Sequence, residues 1–162
     1  MSPSERELPD IASILGQLVG RVSPEQRPLL IALAERLAAD RYRAWAREVH
    51  DPARESQLLA CADREDDIGA RVQGLYQNAA DIQHEIRAAN PDLEQINRAL
   101  FTGRSLEQQF ALQAQGERLG ATTWRSFAGL AKDAKARATF LCCAELEEDS
   151  ARCLEALLRG EG

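Results

Sequence analysis

The chain has 162 residues, 44 % hydrophobic and 28 % charged, with a formal net charge of −6. The length suits one domain, and the acidic balance disfavours a general binder of nucleic acid or anionic membranes, since phosphate surfaces attract a positive field. No apolar run nears the roughly 20 residues of a membrane span, and the N-terminal MSPSERELPD has no apolar signal core, so the expected setting is the cytoplasm, without nucleic-acid or membrane partners.

Ala, Leu, Glu, Arg and Gln dominate, while Val, Ile, Thr, Tyr and Phe are scarce. That balance favours helices over strands and predicts an all-α fold. The four cysteines, Cys61, Cys142, Cys143 and Cys153, lack zinc-site spacing and are expected as reduced, mostly buried thiols.

In chain order, residues 1–10 read as a loose terminus. Residues 9–21 carry apolar side chains at helical spacing, with Pro9 in the first turn. Ser23 and Gln26 have the spacing of a capping box around Pro24 and start a helix running to about Glu48. Asp51 caps the next helix, opened by Pro52 and predicted to continue to about Ala88. A short helix is expected over Leu93–Leu100. Ser105 then caps a long helix to Leu130, and Asp133 caps the last, ending near Leu158 and Gly160.

The four long segments each carry one buried stripe. Ile31, Glu35, Ala38, Tyr42, Trp45 and Val49 share a face in the first, and Leu58, Ala62, Glu65, Gly69, Val72 and Tyr76 in the second. Phe110, Ala114, Glu117, Ala121, Trp124 and Ala128 follow in the third, and Phe140, Ala144, Glu147, Ala151, Leu154 and Leu158 in the fourth. Four amphipathic helices with short turns after Glu48 and Leu130 predict two antiparallel hairpins. The longer stretch between them can cross from one end to the other.

The hairpins repeat. Residues 34–75 align with 116–157 at an offset of 82 without a gap, and thirteen of 42 positions are identical. They include Glu35/Glu117, Asp51/Asp133, Cys61/Cys143 and Glu65/Glu147. A gapless match across an interhelical turn is read as a duplicated hairpin. The expected organisation is one domain over 1–162, with a short-helix segment at 1–22 and a four-helix bundle at 24–158.

Repeat, crossover and glutamate placement together resemble the ferritin–rubrerythrin superfamily over roughly Pro24–Leu158. The resemblance implies a ferritin-like four-helix bundle in which one Glu from the first helix of each hairpin and an E-x-x-H from the second project onto two iron or manganese ions. Glu35 and Glu117 match the single glutamates, and Glu65 and Glu147 match those of the two E-x-x-H motifs. The positions three residues on are Ile68 and Ser150, so both histidines are missing. His50 and His84 do not substitute: they lie fifteen residues from Glu35 and nineteen from Glu65, roughly 22 and 28 Å along a helix.

From the residues alone, three arrangements stay open. The four glutamates hold metal through carboxylates and water; or they are a relic, protonated, bonded to one another or paired with Arg; or they face solvent. Retention of Glu at all four equivalent places argues against the last. The resemblance implies a metal-binding protein handling iron, with oxidase or peroxidase activity of the di-iron or dimanganese type as its enzymatic extension. The alternative is a metal-free helical scaffold or partner-binding module. The apolar side of Ile11–Val22 needs a surface, either the bundle or a second subunit, and a homodimer is the expected assembly. Tyr42, two turns after Glu35, is a core residue able to hydrogen-bond a site ligand. Cys61 and Cys143 could approach the bundle axis as a redox pair. Arg36, Arg43, Arg118 and Arg125 flank the stripes and are expected to pair with acids.

Overall fold

The computed structural model describes residues 8–161. The expected loose terminus falls mostly on residues 1–7, outside the described residues. The rest is all-helical, with seven α-helices, one 3-10 turn and no strand among the described residues. None of these helices is long and apolar enough to cross a membrane.

Helix α1 spans Ile11–Val19 and starts from Asp10, whose carboxylate accepts the Ser13 N–H at 3.1 Å. Pro9 therefore precedes the helix. The capping box expected at Ser23 does not form; Pro24–Gln26 is a 3-10 turn, and α2 runs over Arg27–Glu48. Arg27 turns its guanidinium back, Nε donating to the Val19 and Val22 carbonyls. It thereby ties the turn that follows α1 to the start of α2.

Asp51 caps α3 (Pro52–Gln73) by accepting the Ala53 N–H at 2.9 Å, and Asp133 caps α7 (Ala134–Leu158) through the Ala136 N–H at 2.7 Å. Between them, α6 (Leu106–Leu130) opens with a reciprocal capping box between Ser105 and Gln108. The second helix is shorter than its periodicity predicts. It stops at Gly74, and a separate α4 covers Ala79–Ala89, followed by α5 over Leu93–Phe101. Apolar spacing continues through the break at Ala79, Ile82 and Ile86, so periodicity cannot see it. Buried Gln83 fixes the new direction, accepting from Gln73 Nε2 and donating to the Leu29 carbonyl. His84 thus sits on α4, exposed, rather than on an extension of α3.

Helices α2 and α3 pack along their lengths, as do α6 and α7, and the two pairs join mainly through α3 against α7. Both helices bury small residues, Cys61 and Ala62 on α3 and Cys143, Ala144, Ser150 and Ala151 on α7, and small side chains let helix axes approach. Contact between α2 and α6 is much sparser, because these helices carry Tyr42, Trp45, Phe110 and Trp124. Surface pairs brace the hairpins at matching places: Arg43 with Asp66, and Arg125 with Glu148 at 2.7 Å.

Two apolar clusters form the core. One gathers Leu29, Ile31, Ile68, Val72, Trp124 and Phe140; the other gathers Tyr42, Trp45, Leu58, Phe110, Leu154 and Leu157. On every long helix the glutamate falls between residues of the two clusters, so a layer of carboxyls divides the core. Cys61 belongs to one cluster and Cys143 to the other, and both are free, buried thiols, as expected of the cysteines. The apolar side of α1 rests on this same chain, with Leu15 and Val19 against the core.

Candidate metal centre

All four sequence-selected glutamates are interior: Glu35 is 7 % exposed, Glu65 0 %, Glu117 1 % and Glu147 2 %. Each comes from the middle of a different long helix. The structure brings three of them together: one carboxylate oxygen each from Glu35, Glu65 and Glu147 lies within 4.8 Å of the others.

Glu117 sits beside this triad and is held differently. Its Oε1 accepts from the Tyr42 hydroxyl at 2.7 Å and from Gln113 Nε2 at 2.8 Å. Glu147 Oε1 accepts from the Trp124 indole N–H at 2.9 Å. Neither oxygen of Glu65 has a donor, and Glu117 Oε2 also lacks one. For Glu65 the groups in reach are other carboxyls, so only a shared proton or a cation can satisfy it. Burial pushes Glu35, Glu65 and Glu147 above the usual carboxyl range, and the neighbouring acids reinforce this for Glu65 and Glu147. For Glu35, bonds to Glu65 and Glu147 oppose the rise. Burial, with the Glu117 charge second, holds Tyr42 well above its ordinary range, which keeps it an O–H donor.

A positive charge lies at the edge of the layer. The Arg41 guanidinium stacks over Phe101 at 3.8 Å and donates to Asn97 Oδ1 at 2.7 Å and to Gln113 Oε1 at 2.8 Å. Gln113 passes the interaction on to Glu117. Burial lowers Arg41 to about 10. Arg41 is not among the residues that the repeat singles out. The available signal was the mismatch itself: Arg41 faces Thr123 at the 82-residue offset.

Gly120 makes room for the site. A Cβ there would lie 2.6 Å from Glu147 Oε1 and 2.8 Å from its Cδ. The equivalent position in the first hairpin is Ala38. A cavity of about 140 Å³ opens between α2 and α6 onto Glu35, Glu117 and Glu147. Ile11, Ile14, Leu15 and Leu18 of α1 and Leu100 and Phe101 of α5 line its outer part. An Arg21–Asp92 pair at 2.8 Å ties the segment after α1 to the start of α5.

Ile68 and Ser150, where the resemblance calls for histidine, are both fully buried. Ser150 Oγ is engaged by Arg64 Nε at 3.0 Å. Neither position supplies a nitrogen. An iron or manganese ion of the kind the resemblance implies would meet carboxylate oxygen here, including two undonated oxygens of Glu65 and one of Glu117, beside the space Gly120 leaves. That set fits a hard divalent cation. It does not reproduce a two-histidine dimetal set.

Comparison of the chain with protein-family models, curated proteins and solved structures finds no match.

Proposed function

We propose that the chain is a ferritin-like four-helix-bundle protein that binds a divalent cation, iron or manganese, through Glu35, Glu65 and Glu147, with Glu117 as an anchored flanking carboxylate. The observation that carries the reading is Glu65: fully buried, without a donor on either oxygen, and clustered with two other carboxyls. A cation removes both the repulsion and the unmet desolvation in one step.

Each neighbour then has a part. Trp124 fixes Glu147. Tyr42 and Gln113 hold Glu117 back from the triad and take up part of its charge. The apolar residues of α1 and α5 restrict water at the cavity mouth. A bound iron would supply one-electron chemistry toward oxygen or peroxide. Binding or storage is the better-supported role, since the nitrogen ligands that tune such chemistry are absent.

A metal-free scaffold is the second reading, favoured by Ile68 in the apolar core and by the Ser150–Arg64 bond. The two separate in a melting experiment on the full chain with and without Mn²⁺. Metal binding raises stability by linkage, about 2.7 kcal/mol at a hundredfold excess over Kd. A melting temperature indifferent to Mn²⁺ and Fe²⁺, but raised by Glu65→Leu, contradicts the metal reading and supports the scaffold.

A further inference from the structure

The thiols are distributed unevenly. Cys61 on α3 is fully buried, and Cys153 on α7 is part-exposed. Contacts across the α3–α7 seam set the two on facing turns: Cys153 Sγ lies against the Gln57 carbonyl, one turn before Cys61, and Arg64 spans from Cys61 to Ser150, one turn before Cys153. Arg64, one turn along α3, donates from Nη2 to Cys61 Sγ at 3.1 Å and from Nε to Ser150 Oγ at 3.0 Å. The Cys153 thiol faces the Gln57 carbonyl at 3.8 Å. The hydrogen bond from Cys61, helped by the Arg64 charge, pulls Cys153 down to about 7 against burial. The other charges bearing on the pair are Glu117 from α6 and, through Arg64, Asp149 from α7.

The equivalent place in the second hairpin has none of this. Cys143 matches Cys61, but Leu146 stands for Arg64, Arg71 for Cys153 and Ile68 for Ser150. Arg71 is exposed and paired with Asp67. Burial pushes Cys143 up to about 12. One hairpin position has therefore acquired a second thiol, a cation and a hydroxyl that fixes the cation.

We propose that Cys153 and Cys61 form a redox-active dithiol that reduces a hydroperoxide and closes to a disulfide joining α3 and α7. The Cys153 thiolate attacks the peroxide's terminal oxygen. The S–O bond forms as the O–O bond breaks, and the leaving alkoxide or hydroxide takes a proton. Sulfur loses two electrons and the peroxide gains them. Cys61 then attacks the Cys153 sulfenic acid, its own proton leaving with the displaced hydroxide as water. The sum is two thiols and one hydroperoxide giving one disulfide, one alcohol or water, and one further water. A small-molecule thiol reductant returns the pair to its starting state. Arg64 is a positioning residue, held on the thiols by Ser150. None of this requires metal at the glutamates.

The test is peroxide titration of the full chain followed by tryptic mapping without reduction. Cys61 falls in peptide 55–64, Cys153 in 153–159, and Cys142 with Cys143 in 138–152. One equivalent of hydrogen peroxide should remove two thiols and link 55–64 to 153–159. Cys61→Ser should leave a sulfenic acid at Cys153 that a cyclic dione traps. Before oxidation, Cys153 should alkylate at pH 7 about tenfold faster than a simple thiol of ordinary acidity. Arg64→Leu should slow that rate and move its pH midpoint upward, and Arg64→Lys should restore part of it. A disulfide confined to 138–152, or full recovery of thiols after peroxide, overturns the proposal. Alkylation of Cys153 unchanged in Arg64→Leu overturns the role given to Arg64.

Discussion

The two hairpins place glutamates at the same offset and then treat them oppositely. In the second hairpin, Glu117 receives the Tyr42 hydroxyl and the Gln113 amide, and Glu147 receives the Trp124 indole. In the first hairpin, Glu65 receives no donor at all. The matched aromatics explain how. Tyr42 and Trp124 occupy equivalent positions, yet Tyr42 reaches across to the other hairpin while Trp124 bonds within its own. Both therefore serve the same pair of acids. The difference teaches that carboxyls at equivalent positions need not have equivalent roles: Glu147 is anchored by the protein, and its counterpart Glu65 is left for something else to satisfy.

The largest effect should come from removing an unanchored acid and an anchored one in turn. Glu65→Gln should weaken Mn²⁺ binding by more than about 100-fold, beyond the 10- to 100-fold typical of outer-shell losses, whereas Glu117→Gln should stay within that range. Equal losses in an isothermal titration would erase the contrast between the hairpins.

Acidity gives the next effect. Glu35, Glu65 and Glu147 have folded pKa values above their unfolded values, so the folded state holds more protons. Their contribution to stability is full below about pH 4.5 and is lost as pH rises through the folded values, by about 1.4 kcal/mol per pH unit for each proton. The metal-free protein should therefore lose stability in urea unfolding between pH 5 and 8. Added Mn²⁺ should reverse the slope, since metal displaces those protons. Stability rising with pH in the metal-free protein would mean that these acids are ionised and already satisfied.

Tyr42→Phe removes one of the two donors to Glu117 and should cost about 1.5–3 kcal/mol in the same unfolding experiment. A negligible cost would show that Glu117 is not anchored there. The smallest stability change should come from the pair Gly120→Ala and Ala38→Gly. Ala38→Gly should cost about 1 kcal/mol from helix propensity and leave metal affinity alone. Gly120→Ala should recover much of that propensity but push the Glu147 carboxylate aside, lowering affinity about tenfold at little change in stability. If the two variants bind metal alike, the room left by Gly120 has no bearing on the site.

Stripes, caps and the 82-residue offset made the long helices and the four buried glutamates legible, because burial on a helix follows spacing. The limits came where side chains decide between equal spacings. Gly74 ends α3 inside an unbroken apolar rhythm, so the separate α4 was hidden. Ser23 and Gln26 had capping-box spacing, but the chain forms a 3-10 turn there, with Arg27 folded back onto α1. Arg41 breaks the repeat, so equivalence between the hairpins does not reveal it. Cys61 was matched to Cys143 by equivalence, while the α3–α7 seam set it against Cys153. Which glutamate receives a donor depends on aromatic side-chain direction, and no spacing carries that.

The proposed site is a buried carboxyl triad, with Glu65 undonated at its centre, that holds one divalent cation. Mn²⁺ binding to the full chain, followed by electron paramagnetic resonance, tests it most directly: free Mn²⁺ gives a sharp signal that binding diminishes. One Mn²⁺ per chain is expected, competed by Fe²⁺, abolished by Glu65→Gln and retained with reduced affinity in Glu117→Gln. A free-ion signal unchanged by the wild-type chain, or binding that survives Glu65→Gln, would contradict it.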